Sequence, residues 1–170
     1  MEIVESGLKT LGEKKLVGRR IKTSFSGNRT FELWNTFMPK RKEIQHGIGT
    51  VLYSIQVYEP SFFDIFDPAK EFEKWAAMEV SDFETIPDGM ETFILEGGLY
   101  AVFLYRGAAS AAAPAFRYIL GTWLPGAGYS LDHRPHFEIL GEKYKNEDPG
   151  SEEEIWIPIR PKSKSAFELI

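Results

Sequence analysis

The sequence predicts an α+β fold in which two strand-helix-strand-strand repeats, related by a pseudo-twofold axis, lay their helices on a shared antiparallel sheet. Three observations predict it. Short runs of strand character fill most of the chain, and only two segments have helical spacing. Both helical segments run into a proline, as Phe37-Met38-Pro39 and as Trp123-Leu124-Pro125. Finally, Asp67-Pro68 followed by Glu71, Glu73 and Trp75 returns as Asp148-Pro149 followed by Glu152, Glu154 and Trp156, each member 81 positions on (67 to 148, 75 to 156). The 170 residues then form a single domain, with one repeat over about 14–80 and the other over about 90–160.

Lys14 to Thr23 reads as the first strand, and a Ser24-Phe25-Ser26-Gly27-Asn28 turn follows, with Asn28 placed to cap a helix. That helix spans Arg29 to Ile44 and carries Phe31, Trp34, Phe37 and Met38 at helical spacing; Pro39 ends or kinks it near Met38. Leu52 to Glu59 and Phe72 to Val80 are strands separated by a turn-rich loop. Met90 to Leu95 and Leu99 to Tyr105 are strands around Gly97-Gly98, which has the composition of a hairpin turn. Ala111 to Leu124 is the second helix, with Phe116, Ile119, Leu120 and Trp123 on one side and Pro125-Gly126 at its end. Phe137 to Leu140 and Glu154 to Ile159 close the sheet.

Composition narrows the function. Twenty basic and 25 acidic residues give a net charge of -5, which is not the basic stripe of a protein built to neutralise phosphates, and no direct nucleic-acid contact is expected. With no cysteine there is no disulfide scaffold, thiolate zinc site or Cys nucleophile. Met1-Glu2-Ile3-Val4-Glu5 lacks the apolar core of a signal peptide, and no apolar run reaches the roughly 18 residues of a membrane span, so a cytoplasmic protein is expected. The 43% hydrophobic and 14% aromatic content suits a globular chain rich in rings.

In order and spacing, several short motifs resemble the GyrI-like effector-binding family, which includes the ligand domains of AraC-type and multidrug-sensing transcription regulators. They are Leu33-Trp34-x-x-Phe37-Met38-Pro39, Gly98-Leu99-Tyr100-Ala101-Val102-Phe103, Trp123-Leu124-Pro125 with Gly128-Tyr129, Phe137-Glu138, Asp148-Pro149 and Ile155-Trp156-Ile157-Pro158-Ile159. The likeness runs from about Lys14 to Arg160. It implies a curved sheet with two helices flanking a ligand cleft, and an acidic residue at the base of the cleft, at the position of Glu138. With the first strand placed near residue 14, no helix-turn-helix region is expected, and the chain reads as a stand-alone version.

Glu138 lies in the apolar run Phe137-Glu138-Ile139-Leu140, so it and Phe137 point to opposite faces of a strand. If its face is solvent it is an ordinary surface glutamate. If its face is the cleft, the isolated carboxylate must find donors, take a proton or meet a cation. Rings supply the rest of such a site, since aromatic faces hold flat organic cations. By the 81-residue offset Glu138 matches Val57, which puts Tyr53, Ile55 and Val57 on the cleft side and turns Tyr58 away. Trp75 and Trp123 are further candidate walls by resemblance and by their places beside the cleft; Trp34 is another, on a stripe that a packed helix also shows. Trp156 is assigned to the core.

Other chemistry is weakly signalled. His133-x-x-His136 with Glu138 has Pro135 between the histidines, and neither a metal site nor a cofactor is expected. The glycines of Gly121 to Gly128 lie in or after a helix, the wrong side for a phosphate loop. The sequence therefore points to binding of hydrophobic, cationic small molecules at Glu138, Tyr53, Trp75, Trp123 and Trp34. The resemblance implies two alternatives, which stay open: hydrolysis of cyclopropane-bearing alkylating compounds, with Glu138 activating water and Tyr53 donating a hydrogen bond, and regulation by contact with a protein partner such as gyrase.

Overall fold

The computed structural model describes residues 2–162. Nine strands form one antiparallel sheet: β1 (Glu2–Leu11), β2 (Lys14–Thr23), β3 (Leu52–Val57), β4 (Phe72–Val80), β5 (Glu91–Leu95), β6 (Gly98–Arg106), β7 (Tyr129–Leu131), β8 (His136–Leu140) and β9 (Glu152–Pro161). Two helices, α1 (Thr30–Phe37) and α2 (Ala113–Tyr118), pack on it. The strand order β1-β6-β9-β8-β3-β4-β2-β5 is a palindrome about the β8–β3 pairing, with β7 added to β9. Its centre is visible in single residues. Ile55 is opposite Trp75 as Phe137 is opposite Trp156, and Ile55 and Phe137 face each other directly.

The expected strand-helix-strand-strand unit gains a strand at its front. β1 pairs with β6 and β5 pairs with β2, so each half gives its first strand to the other. The expected hairpin at Gly97-Gly98 does not form, because β5 and β6 have other partners. Instead Glu96-Gly97 joins one edge strand to the second strand from the opposite edge, and Gly12-Glu13 does the same between β1 and β2. Two links this short draw the ends of the sheet together, so the sheet curls. Gly97 lies where the links cross, and a Cβ there would be 2.5 Å from the Leu11 carbonyl oxygen.

Curling encloses one face of the sheet. Leu11, Leu16, Tyr53, Ile55, Trp75, Leu95, Tyr100, Val102, Phe137 and Trp156 form a closed cluster there, with the Phe137 and Trp156 rings stacked at 5.3 Å. The other face carries the helices. Leu33 and Phe37, one turn apart on α1, bury against Val17, Leu52, Ala76 and Leu140. Ala115 and Ile119 bury against Phe103, Ile155 and Ile157. Each set removes several large side chains from water, at about 1.5–3 kcal/mol per side chain.

Helix boundaries differ modestly from the sequence reading. Asn28 Oδ1 accepts the Thr30 N–H at 2.9 Å, so it satisfies one free donor of the first turn. After Phe37 the chain tightens into a 3-10 turn, Met38–Glu43, which admits Pro39 near its start. Phe31 and Met38 are exposed, so the buried stripe of α1 is Leu33 and Phe37 with Trp34 at its flank. α2 opens with Pro114 in its first turn and continues through a π-helical turn, Ile119–Trp123, and a last turn, Leu124–Gly126; Pro125 stands inside the helical path rather than after it.

Candidate functional site

The midline between the helices is where β3 and β8 pair, and their polar residues gather there. Ser54 is opposite Glu138 and Gln56 is opposite His136. Lys74 is opposite Gln56, and Glu138 is opposite Ile155. Alternation puts all of these on the helix-bearing face, between the α1 and α2 clusters. Glu138 therefore sits on the sheet floor between the two helix clusters, buried to 7% exposure.

Its contacts are few. Gln56 Nε2 donates to Glu138 Oε1 at 2.9 Å, and Lys74 Nζ lies 3.8 Å from the same oxygen. Oε2 is buried and has no hydrogen-bond partner among the described residues. Burial pushes the Glu138 carboxyl above the usual range, opposed by the Lys74 charge and the Gln56 hydrogen bond. Burial also lowers the Lys74 ammonium, opposed by Glu138 and Glu153. Glu153, on the same face of β9, is pushed up to about 8 by burial and then by the Glu138 charge. His136 is pushed down to about 3 by burial.

Rings of the loop 58–71 cover this floor. Tyr58 packs against His136, Phe62 and Phe63, with centroids 4.7–4.9 Å away, and Phe63 stacks on His136 at 5.8 Å. Tyr58 is raised by burial and by the charge of Glu138. Phe25, Phe62 and Phe72 extend the aromatic cluster beyond the floor.

The structure brings together only part of the residue set drawn from the sequence. Glu138, Trp34 and Trp123 lie on the helix-bearing face, Glu138 buried and both tryptophans half-buried. Trp34 stands edge-on to Phe37; Trp123 stands edge-on to Phe103 and donates Nε1 to Glu5 Oε2 at 2.9 Å. Tyr53 and Trp75 lie on the opposite, enclosed face, with Phe137 and Phe93 respectively. The register explains the difference. Between paired residues the chain from Ile55 to Trp75 is one residue longer than that from Phe137 to Trp156, so the counterpart of Glu138 is Gln56 and not Val57. Parity then reverses, putting Tyr58 at the cleft and Tyr53 behind it. Tyr53 and Glu138 are separated by the sheet, so the water-activating pair drawn from the sequence is not assembled.

Lys74, Gln56 and Glu153 were not drawn from the sequence as site residues, and Tyr58 was assigned to the opposite face. A signal existed in Leu52-Tyr53-Ser54-Ile55-Gln56-Val57: polar and apolar residues alternate, and the polar set marks the face that Glu138 shares. His133 is exposed and apart from the buried His136. Among the described residues, His46, Asp82 and Glu84 bring ligand-type atoms within 4.8 Å of one another on the surface, away from the cleft. No described helix is long and apolar enough to cross a membrane.

A curled antiparallel sheet with two helices bordering a buried carboxylate defines a ligand-binding domain class. Residues 5–160 match the family model described as the GyrI-like small molecule binding domain, and the chain belongs to that family. It is 29% identical over 147 residues to the transcriptional regulator BrlR of Pseudomonas aeruginosa, a match covering 85% of this chain and 51% of that protein. The chain thus spans about half the length of this curated relative. The C-terminal domain of EcmrR has the same fold, with TM-score 0.69 and 18% identity, covering 95% of this chain and 100% of that one. SAV2435, solved bound to tetraphenylphosphonium, follows with TM-score 0.62 and 18% identity over 94% of both chains.

Proposed function

We propose that the cleft between α1 and α2 binds hydrophobic organic cations, with Glu138 as charge acceptor and the rings of Tyr58, Phe63, Trp34 and Trp123 as walls. The observation that carries this reading is Oε2 of Glu138, a buried carboxylate oxygen with no donor among the described residues. A buried acceptor of this kind leaves an unmet cost of about 1–3 kcal/mol, or more when charged, which a cation in the cleft offsets. Facing rings add about 0.5–2 kcal/mol per cation contact. Binding of tetraphenylphosphonium by the similar fold of SAV2435 supports the ligand class.

The Phe62–Phe63 segment overlies the floor, so entry of a ligand requires this loop to shift. The test is a tryptophan-fluorescence titration with tetraphenylphosphonium and with the neutral triphenylphosphine oxide. Glu138→Gln is expected to weaken the cation at least tenfold and to leave the neutral compound nearly unchanged. Equal losses for both compounds, or none for either, would remove Glu138 from the charge-acceptor role.

A further inference from the structure

The cleft floor holds two carboxyls and one amine rather than a lone acid, and their placement constrains how a cation enters. Glu138 is opposite Ile155, and Glu153 precedes Ile155 by two residues, so Glu153 is the diagonal neighbour of Glu138 on the same face. Lys74 reaches Glu138 from β4, at 3.8 Å. Other titratable groups near Glu153 are Tyr105, its direct partner on β6, and Tyr144 after β8, with Glu147 beyond both tyrosines, and Glu142, Lys143, Glu152 and Glu154 line a surface hollow with it.

With Lys74 charged and both acids ionised, the group would carry a net negative charge, with Glu138 and Lys74 less than a tenth exposed and Glu153 half-buried beside them. One proton on the group makes it neutral. Shifting a proton between Lys74 and Glu138 leaves that total unchanged, so the balance belongs to the cluster. The two acids are not equivalent, however. Glu138 has the Gln56 donor and the Lys74 ammonium, whereas Glu153 has no hydrogen-bond donor among the described residues. Glu153 is thus the acid that keeps the proton, in line with its raised titration.

We propose that an organic cation enters this cleft only in exchange for a proton, which leaves the carboxyl of Glu153. The inference rests on the cation-binding reading of the cleft given above. The neutral acid becomes a carboxylate, its proton passes to solvent, and the arriving cation replaces the lost positive charge; no bond to the ligand forms. Neutral ligands move no proton. The cleft is therefore selective by charge in a pH-dependent way: cations are taken up best in mildly alkaline solution, and neutral compounds equally well throughout.

Calorimetric titration of the full chain in two buffers of different ionisation enthalpy counts the protons. With tetraphenylphosphonium, close to one proton released per cation is expected at pH 6.5, with affinity rising about tenfold from pH 6 to pH 7 and levelling above about pH 8. Triphenylphosphine oxide should release none at any pH. In Glu153→Gln the release should vanish and cation binding should become weak and pH-independent, with the neutral compound still bound as proof of fold. Cation binding without proton release, or with a flat pH profile, overturns the exchange and leaves the cleft assignment standing. Release that persists in Glu153→Gln also overturns it, by moving the proton to Lys74. Failure of the wild-type protein to bind either compound defeats the cleft assignment itself, and the exchange with it.

Discussion

Lys74 Nζ lies 3.8 Å from Glu138 Oε1, with both side chains less than a tenth exposed. A buried pair of this kind contributes little net stability over an apolar pair, but either member alone is costly. Lys74→Met is therefore expected to lower the unfolding free energy by about 3 kcal/mol. Lys74→Met combined with Glu138→Leu should cost less than the two single changes together, by about 1 kcal/mol or more. Urea denaturation of the three variants measures this, and strictly additive losses would show that the two groups do not interact.

Stability should depend on pH through His136. Its folded value of about 3 lies below the ordinary 6.5 of an unfolded histidine. Between those values the unfolded chain binds more protons than the folded one, so stability falls as the pH drops through this window, by up to about 1.4 kcal/mol per unit from this group. Glu153, raised to about 8, acts in the opposite sense, because the folded state holds its proton where the unfolded state has released it. The informative quantity is the difference between wild type and His136→Phe. The variant should lose less stability from pH 6.5 to pH 4, read from thermal melts.

Two glycines should behave oppositely. A Cβ at Gly97 would meet backbone atoms, the Leu11 carbonyl oxygen at 2.5 Å and the Glu13 nitrogen at 3.1 Å. Gly97→Ala is expected to cost at least about 2 kcal/mol, because neither link can retreat without moving an edge of the sheet. A Cβ at Gly121, inside the helical path, would meet nothing within 4 Å. Gly121→Ala should stabilise by about 0.5–1 kcal/mol. Chemical denaturation of both variants gives the two signs directly.

The two faces of the sheet should separate the tryptophans by function. Trp123→Leu removes a ring proposed above as a wall of the cleft and is expected to weaken tetraphenylphosphonium by about 3- to 30-fold, the equivalent of about 0.5–2 kcal/mol. Trp75→Phe alters a ring on the enclosed face and should leave affinity within about twofold while lowering stability. The reverse pattern in a fluorescence titration would place the ligand on the enclosed face instead.

Most of the fold was legible because strands and helices write different periods, and the recurrence of Asp-Pro and Trp carried the symmetry. β1 was illegible for a physical reason. As an edge strand interrupted by a register shift between Glu5 and Gly7, it shows almost no buried face, and without a buried face there is no alternation to read. Gly97-Gly98 misled because a two-residue glycine turn looks the same whether it joins neighbouring strands or crosses between sheet edges. Glu138 was readable as a carboxylate between apolar neighbours. Its surroundings were not: one extra residue in a loop reverses strand parity, so Tyr53 and Tyr58 exchanged faces, and Lys74 is brought to Glu138 by pairing rather than by sequence proximity.

The exchange of first strands between the halves bears on how such a molecule could arise and come apart. β1 completes the second half and β5 completes the first, so the halves are interlocked as in a domain-swapped dimer whose two copies have been fused into one chain. A half expressed alone would expose the unsatisfied edge of β2 or β6 and would regain it only by trading strands with a second copy. Unfolding of the intact chain should accordingly be a single cooperative event, with neither half surviving the loss of the other.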